Sequence, residues 1–259
     1  MRVVTDPDAA EFHRSRLFFE IYQDLPRAGP GDPESARRAV SMMTGLPKEP
    51  MVLDVGCGPG AGTLELAALT GGRIAAFDLH KPFLDRLQSE VRKSGLSGRI
   101  DVLCSDMRRT PFAAGSFDLV WSEGALCSVG FREGLAVCRG LTKSGGYLAA
   151  SEAVWTVPDP PSTVRRWWES EYPAIDSISE KASDVVRAGF DLVGHFTLPA
   201  SAWWEHYYAP MRDRLERLRV KWASDAAGME LIAQHELEIS IFERFGDCYG
   251  YEFFVGCAG

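Results

Sequence analysis

The residues best placed to do chemistry are a set of glycines with acids around them. Val52-Leu53-Asp54-Val55-Gly56-Cys57-Gly58-Pro59-Gly60 sets an acid inside an apolar run and three alternate glycines behind it. Glycine accepts positive φ and lets a ligand approach the backbone without a Cβ in the way, and a helix starting after the turn presents free N–H groups. Something carrying an adenosine or a phosphate fits there. Gly56-Cys57-Gly58-Pro59-Gly60-Ala61 also satisfies a permissive dinucleotide fingerprint, so the neighbours must discriminate. Asp78 stands where a carboxylate can accept two hydrogen bonds from a ribose diol, which serves several nucleotide cofactors equally. Asp54 is more selective: two positions before the first glycine it would crowd a pyrophosphate, yet it suits the ammonium group of a methionine moiety, directly or through water. Ser105-Asp106-Met107 supplies a third acid, able to accept from an adenine amino group while an apolar neighbour covers the ring. Helix capping is the alternative reading of Asp106 taken singly.

These acids need a scaffold that brings them to one edge. Short apolar runs at 51–55, 73–78, 100–104, 117–121 and 147–151 alternate with helical patterns at 63–70, 81–94 and 134–141. Strands alternating with helices imply a parallel, doubly wound α/β sheet, in which Asp54, Asp78 and Asp106 end consecutive strands at the ligand-binding edge. Ahead of this core, residues 11–25 read as a helix, a breaker-rich stretch with Gly29-Pro30-Gly31 follows, and Asp32 or Ser35 can cap a helix running to Met43. After Ala153 come Pro158, Pro160 and Pro161, helices at 165–172 and 179–188, and a strand at 190–198. Residues 202–245 read as helical, with Met211, Leu215, Leu218 and Trp222 on one core-facing stripe. An aromatic strand at 251–257 closes the chain and should pair antiparallel. The expected organisation is an N-terminal helical appendage over 1–45 and one α/β domain over 46–259, with helical insertions at about 155–175 and 200–246.

Several blocks, in order, resemble a known family. They are Leu53 to Gly60, Phe77-Asp78-Leu79, Ser105-Asp106-Met107, Pro111-Phe112, Phe117-Asp118-Leu119-Val120-Trp121-Ser122-Glu123-Gly124 and Leu141-Thr142-Lys143-Ser144-Gly145-Gly146-Tyr147. Over 52–150 the chain resembles class I, Rossmann-like methyltransferases that use S-adenosylmethionine (SAM), of the methyltransferase type 11 group and similar to the UbiE-like enzymes of ubiquinone and menaquinone biosynthesis. The resemblance implies a seven-stranded sheet of order 3-2-1-4-5-7-6 with an antiparallel seventh strand. It implies SAM as methyl donor, S-adenosylhomocysteine (SAH) as product, and no metal. The cofactor set it implies is Asp54, Gly56, Cys57, Gly58, Gly60, Asp78, Leu79, Asp106, Met107, Ser122 and Glu123. The Trp-rich insertion and the long helical stretch depart from a minimal member, so a quinone acceptor does not transfer.

Methyl transfer is an in-line displacement at a carbon already activated by a sulfonium, so orientation and exclusion of water supply most of the rate. A base is needed only where the acceptor must lose a proton. Glu123, just past the fourth strand, and His206 are the catalytic candidates; the alternatives are charge balance for Glu123 and a structural role for His206. Tyr22, Trp155, Trp203, His206 and Tyr207 are candidates for the acceptor side, and the density of aromatics there fits an aromatic acceptor or plain core packing. Gly29-Pro30-Gly31 with Tyr22 is a candidate lid over the methionine end of the cofactor.

Composition narrows the partners. The formal net charge of -8 over 259 residues argues against general affinity for nucleic acid. Six scattered cysteines form no CxxC pair and imply reduced thiols without a zinc site. The N-terminus lacks the apolar core of a signal peptide, and no run approaches the roughly 18 apolar residues of a membrane helix. The expectation is a cytoplasmic protein, monomer or homodimer, acting on a small molecule without membrane insertion. A noncatalytic SAM-binding protein and an NAD(P)-dependent oxidoreductase are the rival functions; no Tyr-x-x-x-Lys pair supports the second.

Overall fold

A computed structural model describes residues 7–259; residues 1–6, part of the N-terminal stretch read above for a signal peptide, lie outside the described residues. Eight strands alternate with helices: β1 Met51–Val55, β2 Arg73–Asp78, β3 Ile100–Cys104, β4 Phe117–Glu123, β5 Thr142–Trp155, β6 Asp176–Ser177, β7 Phe190–Thr197 and β8 Tyr249–Ala258. The sheet order is β3-β2-β1-β4-β5-β8-β7, and the two-residue β6 pairs with β5. Leaving β6 aside, this is the expected order 3-2-1-4-5-7-6. The first five strands run parallel, while β8 lies antiparallel between β5 and β7.

Why the strands read as nearly continuous apolar runs is plain from their burial: both faces of a doubly wound sheet are covered. Alternate residues serve opposite cores. Val52, Leu119 and Trp121 pack with Ala36, Leu66, Leu87 and Val91, from α2 Pro33–Ser41, α3 Ala61–Leu69 and α4 Lys81–Lys93. Leu53, Val55 and Val120 pack on the other side with Phe131, Leu135 and Val185, from α5 Phe131–Leu141 and α7 Ile178–Arg187. Asp32 caps α2 as anticipated, its carboxylate accepting from the Ser35 N–H at 2.8 Å.

A third apolar cluster sits above the carboxyl ends of the strands. It joins α1 Pro7–Tyr22 and α6 Ser162–Glu171 to the long insertion before β8. The insertion is not one helix. It consists of α8 Ala200–Trp203, a π-helical turn Trp204–Tyr208, α9 Ala209–Lys221 and α10 Ala226–Phe245. Pro210 has no N–H to offer the carbonyl of His206, so the ladder widens and the Ala209 N–H reaches back to Trp204 O. The second break, at Trp222 to Asp225, lets Asp225 cap α10 through the Gly228 N–H at 3.1 Å. The stripe Met211, Leu215, Leu218 and Trp222 is fully buried, as its spacing predicts.

A candidate ligand cavity at the carboxyl edge of the sheet

The end of β1 turns through Gly56, Gly58 and Gly60, all at positive φ, into α3. A Cβ on Gly56 would lie 2.4 Å from the Cβ of Ala125, so this turn can pass under the end of β4 only as glycine. Three N–H groups of the loop are already occupied: Cys57 donates to Phe77 O at 3.0 Å, Gly58 to Asp78 Oδ2 at 3.0 Å and Gly60 to Cys57 O at 3.0 Å. The loop is therefore braced against β2 and has few donors left for a phosphate.

Two adjoining cavities open there. One, of about 270 Å³, is lined by Asp54, Gly56, Cys57 and Gly58, by Arg27, Ala28, Gly29 and Pro30, and by Glu123. Its far wall is aromatic: Phe83, Trp168, Trp203, Tyr207 and Tyr251, with Glu238 among them. The second, of about 280 Å³, is lined by Phe77, Asp78, Leu79, Ser105, Asp106, Met107 and Ser128. Both share Gly56, Asp78, Gly124 and Ala125. Asp54, Asp78 and Asp106 thus lie along one trough, in that order across the strand ends. Asp106 also caps a single turn of helix, accepting from the Arg108 N–H at 2.8 Å, so the two readings of this residue are compatible.

Asp54 is buried and accepts from Thr63 Oγ1 at 2.6 Å. Burial pushes its carboxyl up to about 7; the Thr63 hydrogen bond opposes this, while the negative charges of Glu123 and Asp78 reinforce it. In the unfolded chain the same carboxyl titrates near about 4. Between these values the native state keeps a proton that the unfolded state has released, so this group costs stability as pH rises. Asp54→Asn keeps the Thr63 hydrogen bond and removes the titration. Thermal melts should show the variant gaining on the wild type from about pH 4 to 7 and levelling off above; a difference independent of pH would contradict the buried carboxyl.

Glu123 is held on both oxygens. Oε2 accepts from Arg27 Nη1 and Oε1 from Trp121 Nε1, each at 2.9 Å. A Cβ on Gly62 would come within 2.7 Å of Oε1, which shows how tightly α3 closes over it. Arg27 also donates to both oxygens of Glu65, at 2.5 Å. Burial works against the Arg27 charge, but Glu123 and Glu65 more than restore it. With Oε2 on Arg27 and Oε1 on Trp121, Glu123 ties the end of β4 to the N-terminal segment.

Other candidates from the sequence fall elsewhere. Tyr22 is buried beside the chamber but does not line it; its hydroxyl lies 3.0 Å from His235 Nε2, and His235 Nδ1 lies 2.8 Å from Leu231 O. Trp155 packs at the edge of the third apolar cluster, and His206 is half-buried in the π turn, outside the cavity that its neighbour Tyr207 lines. Gly60 caps α3 under Leu87, and Ser122, on the opposite face of β4 from Trp121 and Glu123, donates to Val55 O at 3.0 Å. Both support the loop without lining the cavity.

Sequence reading missed Arg27, Glu65 and Glu238. Arg27 carried a signal, being a lone charge among the breakers Pro26, Gly29 and Pro30. So did Glu238, which occupies an apolar-stripe position in Leu231, His235, Glu238 and Phe242. Among the described residues no group of three or more His, Cys, Asp or Glu side chains is placed to hold a metal, and no helix is long and apolar enough to cross a membrane.

Comparison with known proteins agrees with this arrangement. A family model described as a methyltransferase domain matches residues 53–150. The chain is 30% identical over 165 residues to 24-methylenesterol C-methyltransferase 2 of Oryza sativa subsp. japonica, covering 59% of this chain and 45% of that one. It spans about half the length of the curated relatives it matches. In structure it is similar to a SAM-dependent methyltransferase from Geobacter sulfurreducens in complex with SAH, with a TM-score of 0.80 at 18% identity over 94% of this chain and 98% of that one. The (4+2)-cyclase SpnF has a TM-score of 0.71 at 16% identity, over 96% of this chain and 94% of that one. The domain match, the strand order and the acids along the carboxyl edge agree: residues 53–150 match a methyltransferase domain, set in the Rossmann-like fold of the class I, SAM-dependent methyltransferases.

Proposed function

We propose that this chain transfers a methyl group from SAM to a small-molecule acceptor by in-line displacement, releasing SAH. The observation that carries the reading is the continuity of the trough: Asp106, Asp78 and Asp54 border two cavities that share walls, and the Asp54 end opens into the aromatic chamber. The donor set fits this cofactor better than a dinucleotide. A pyrophosphate would meet the Asp54 and Asp78 carboxylates and a loop whose N–H groups are mostly taken, whereas an ammonium, a ribose diol and an adenine amino group each meet an acceptor. In this reading Asp54 receives the amino group, Asp78 the ribose hydroxyls and Asp106 the adenine amine, with Met107 against the ring. The bound cofactor supplies a methyl group on a sulfonium.

The protein's own part is orientation and exclusion of water. Trp203 and Tyr251 meet edge to face at 4.9 Å between centroids, and Tyr251 lies against Gly124 at the end of β4. They form part of the chamber wall beside the trough. The segment Arg27 to Pro30 closes the outer side, held by the clamp to Glu65 and Glu123. It includes Gly29 and Pro30 of the lid anticipated from Gly29-Pro30-Gly31 and Tyr22, and Arg27 is its anchor. Addition of SAH should slow hydrogen exchange across residues 11–35; an unchanged exchange pattern would remove this segment from the cofactor site.

The reading is tested by incubating the protein with radiolabelled SAM and a panel of amines, phenols, acids and alkenes. Label should pass to an acceptor with stoichiometric SAH. Binding of SAH without transfer to any acceptor would support a noncatalytic SAM-binding protein instead.

A further inference from the structure

The acceptor chamber has an unusual charge distribution. Arg27, the cation bordering the cavity, is engaged by Glu65 and Glu123 at the trough end. At the chamber end Glu238 is the charged side chain among the described lining residues, and Trp168, Trp203, Tyr207 and Tyr251 stand around the same space. Glu238 is tied to that wall: Tyr208 Oη donates to Oε1 at 3.0 Å, and Tyr208 packs on Trp203 at 5.8 Å and on Tyr207 at 4.8 Å. The lining residue Trp168 has a buried Nε1 without a hydrogen-bond partner among the described residues, as has the Oη of Tyr249, whose ring packs on Trp168 at 5.0 Å.

A neutral acceptor needs no carboxylate in its pocket, and a carboxylate, phosphate or phenolate would be repelled by one with no free cation to offset it. Aromatic faces around a single carboxylate attract one kind of ligand, an organic cation, through the ring quadrupoles and the ion pair together. We infer that the chamber binds an acceptor through a cationic amine head, with Glu238 as its counter-ion and the surrounding Trp and Tyr rings as its cage. The inference deepens the methyl-transfer reading and rests on it for the word acceptor; the cation site itself stands on the chamber.

The protonation chemistry is consistent. Burial pushes Glu238 up to about 7, opposed by the Tyr208 hydrogen bond and reinforced by Glu171 of α6. The other titratable groups whose charge is coupled to it are Tyr22 of α1, Tyr207 of the π turn, and Tyr249 and Tyr251 of β8, all raised by their own burial and therefore neutral near pH 7. A protonated amine must pass its N–H proton on before its lone pair is free. Glu238 Oε is the acceptor for that proton.

The test uses choline and its uncharged isostere 3,3-dimethylbutan-1-ol, with 3,3-dimethylbutanoate as the anion, titrated by tryptophan fluorescence into the protein with and without SAH. Choline should bind about tenfold or more tighter than the alcohol, and the butanoate weakest. The preference should grow from about pH 6 to 8 as Glu238 ionises. In Glu238→Gln the ratio should fall several-fold, to the smaller preference that the rings alone confer, and lose its pH dependence, while the melting curve and SAH affinity show that the variant is folded. Equal binding of choline and the alcohol by the wild type, no choline binding, or tighter binding of the anion would overturn the inference. If choline is preferred but SAH does not bind, the methyl-transfer reading falls and the cation site stands.

Discussion

Replacing Arg27 by methionine should destabilise the protein by about 3–5 kcal/mol, the usual cost of removing one partner from a buried ion pair. The side chains of Arg27, Glu123 and Glu65 are only 8%, 14% and 18% exposed, so solvent cannot take over the role of the guanidinium. Two mutually repelling carboxylates, Glu65 and Glu123, would be left without their cation, with Asp54 adding to the repulsion on Glu123. The loss should appear as a lower denaturant midpoint at unchanged slope. Adding Glu65→Gln and Glu123→Gln to Arg27→Met removes the stranded charges and should recover most of it. Arg27→Lys should recover less, because a single ammonium cannot reach both Glu65 and Glu123 as Nη2 and Nη1 of the guanidinium do. A loss below about 1 kcal/mol for Arg27→Met would mean that the pair behaves as a solvated surface contact.

The second large effect concerns the cofactor. Asp78→Ala should weaken SAH binding by about 1–3 kcal/mol, because two ribose hydroxyls lose a charged acceptor. The same carboxylate also receives the N–H groups of Gly58 at 3.0 Å and His80 at 2.8 Å, so it positions the glycine loop as well as facing the cavity. Asp78→Asn separates the roles: the amide oxygen can retain a loop contact, but the charge is gone. If Asn and Ala weaken SAH binding alike with intact melting curves, the ribose contact dominates. If Asn binds like the wild type, the role of Asp78 is to brace the loop.

Much of this architecture was legible in the sequence, for identifiable reasons. β1, β2 and β3 were read with their observed bounds because short apolar runs closed by an acid or glycine turn have few other interpretations. β5 was read short. Its first residues, Thr142 to Gly146, carry the polar and glycine-rich look of a turn, and its last pair with β8, a partner more than ninety residues on that no local pattern announces. The helical insertion was recognised as helical but not as broken, since the π turn depends on what Pro210 withholds from the preceding carbonyl. Of the candidate site, the acids at strand ends were visible because each sits beside its own turn. Arg27, Glu65 and Glu123 come from three separate elements and meet only through the fold, as do Glu238 and its tyrosines. Ser122 and Gly60 lie within the recognised blocks, yet their contacts support the backbone; block membership does not separate binding from bracing.

The central claim, that the trough between Asp54 and Asp106 holds an S-adenosyl cofactor, is tested most directly by calorimetry with SAH and with NAD on the same preparation. The account predicts one SAH site per chain, weakened in Asp78→Ala, and no comparable heat with NAD. Tighter binding of NAD than of SAH would contradict it.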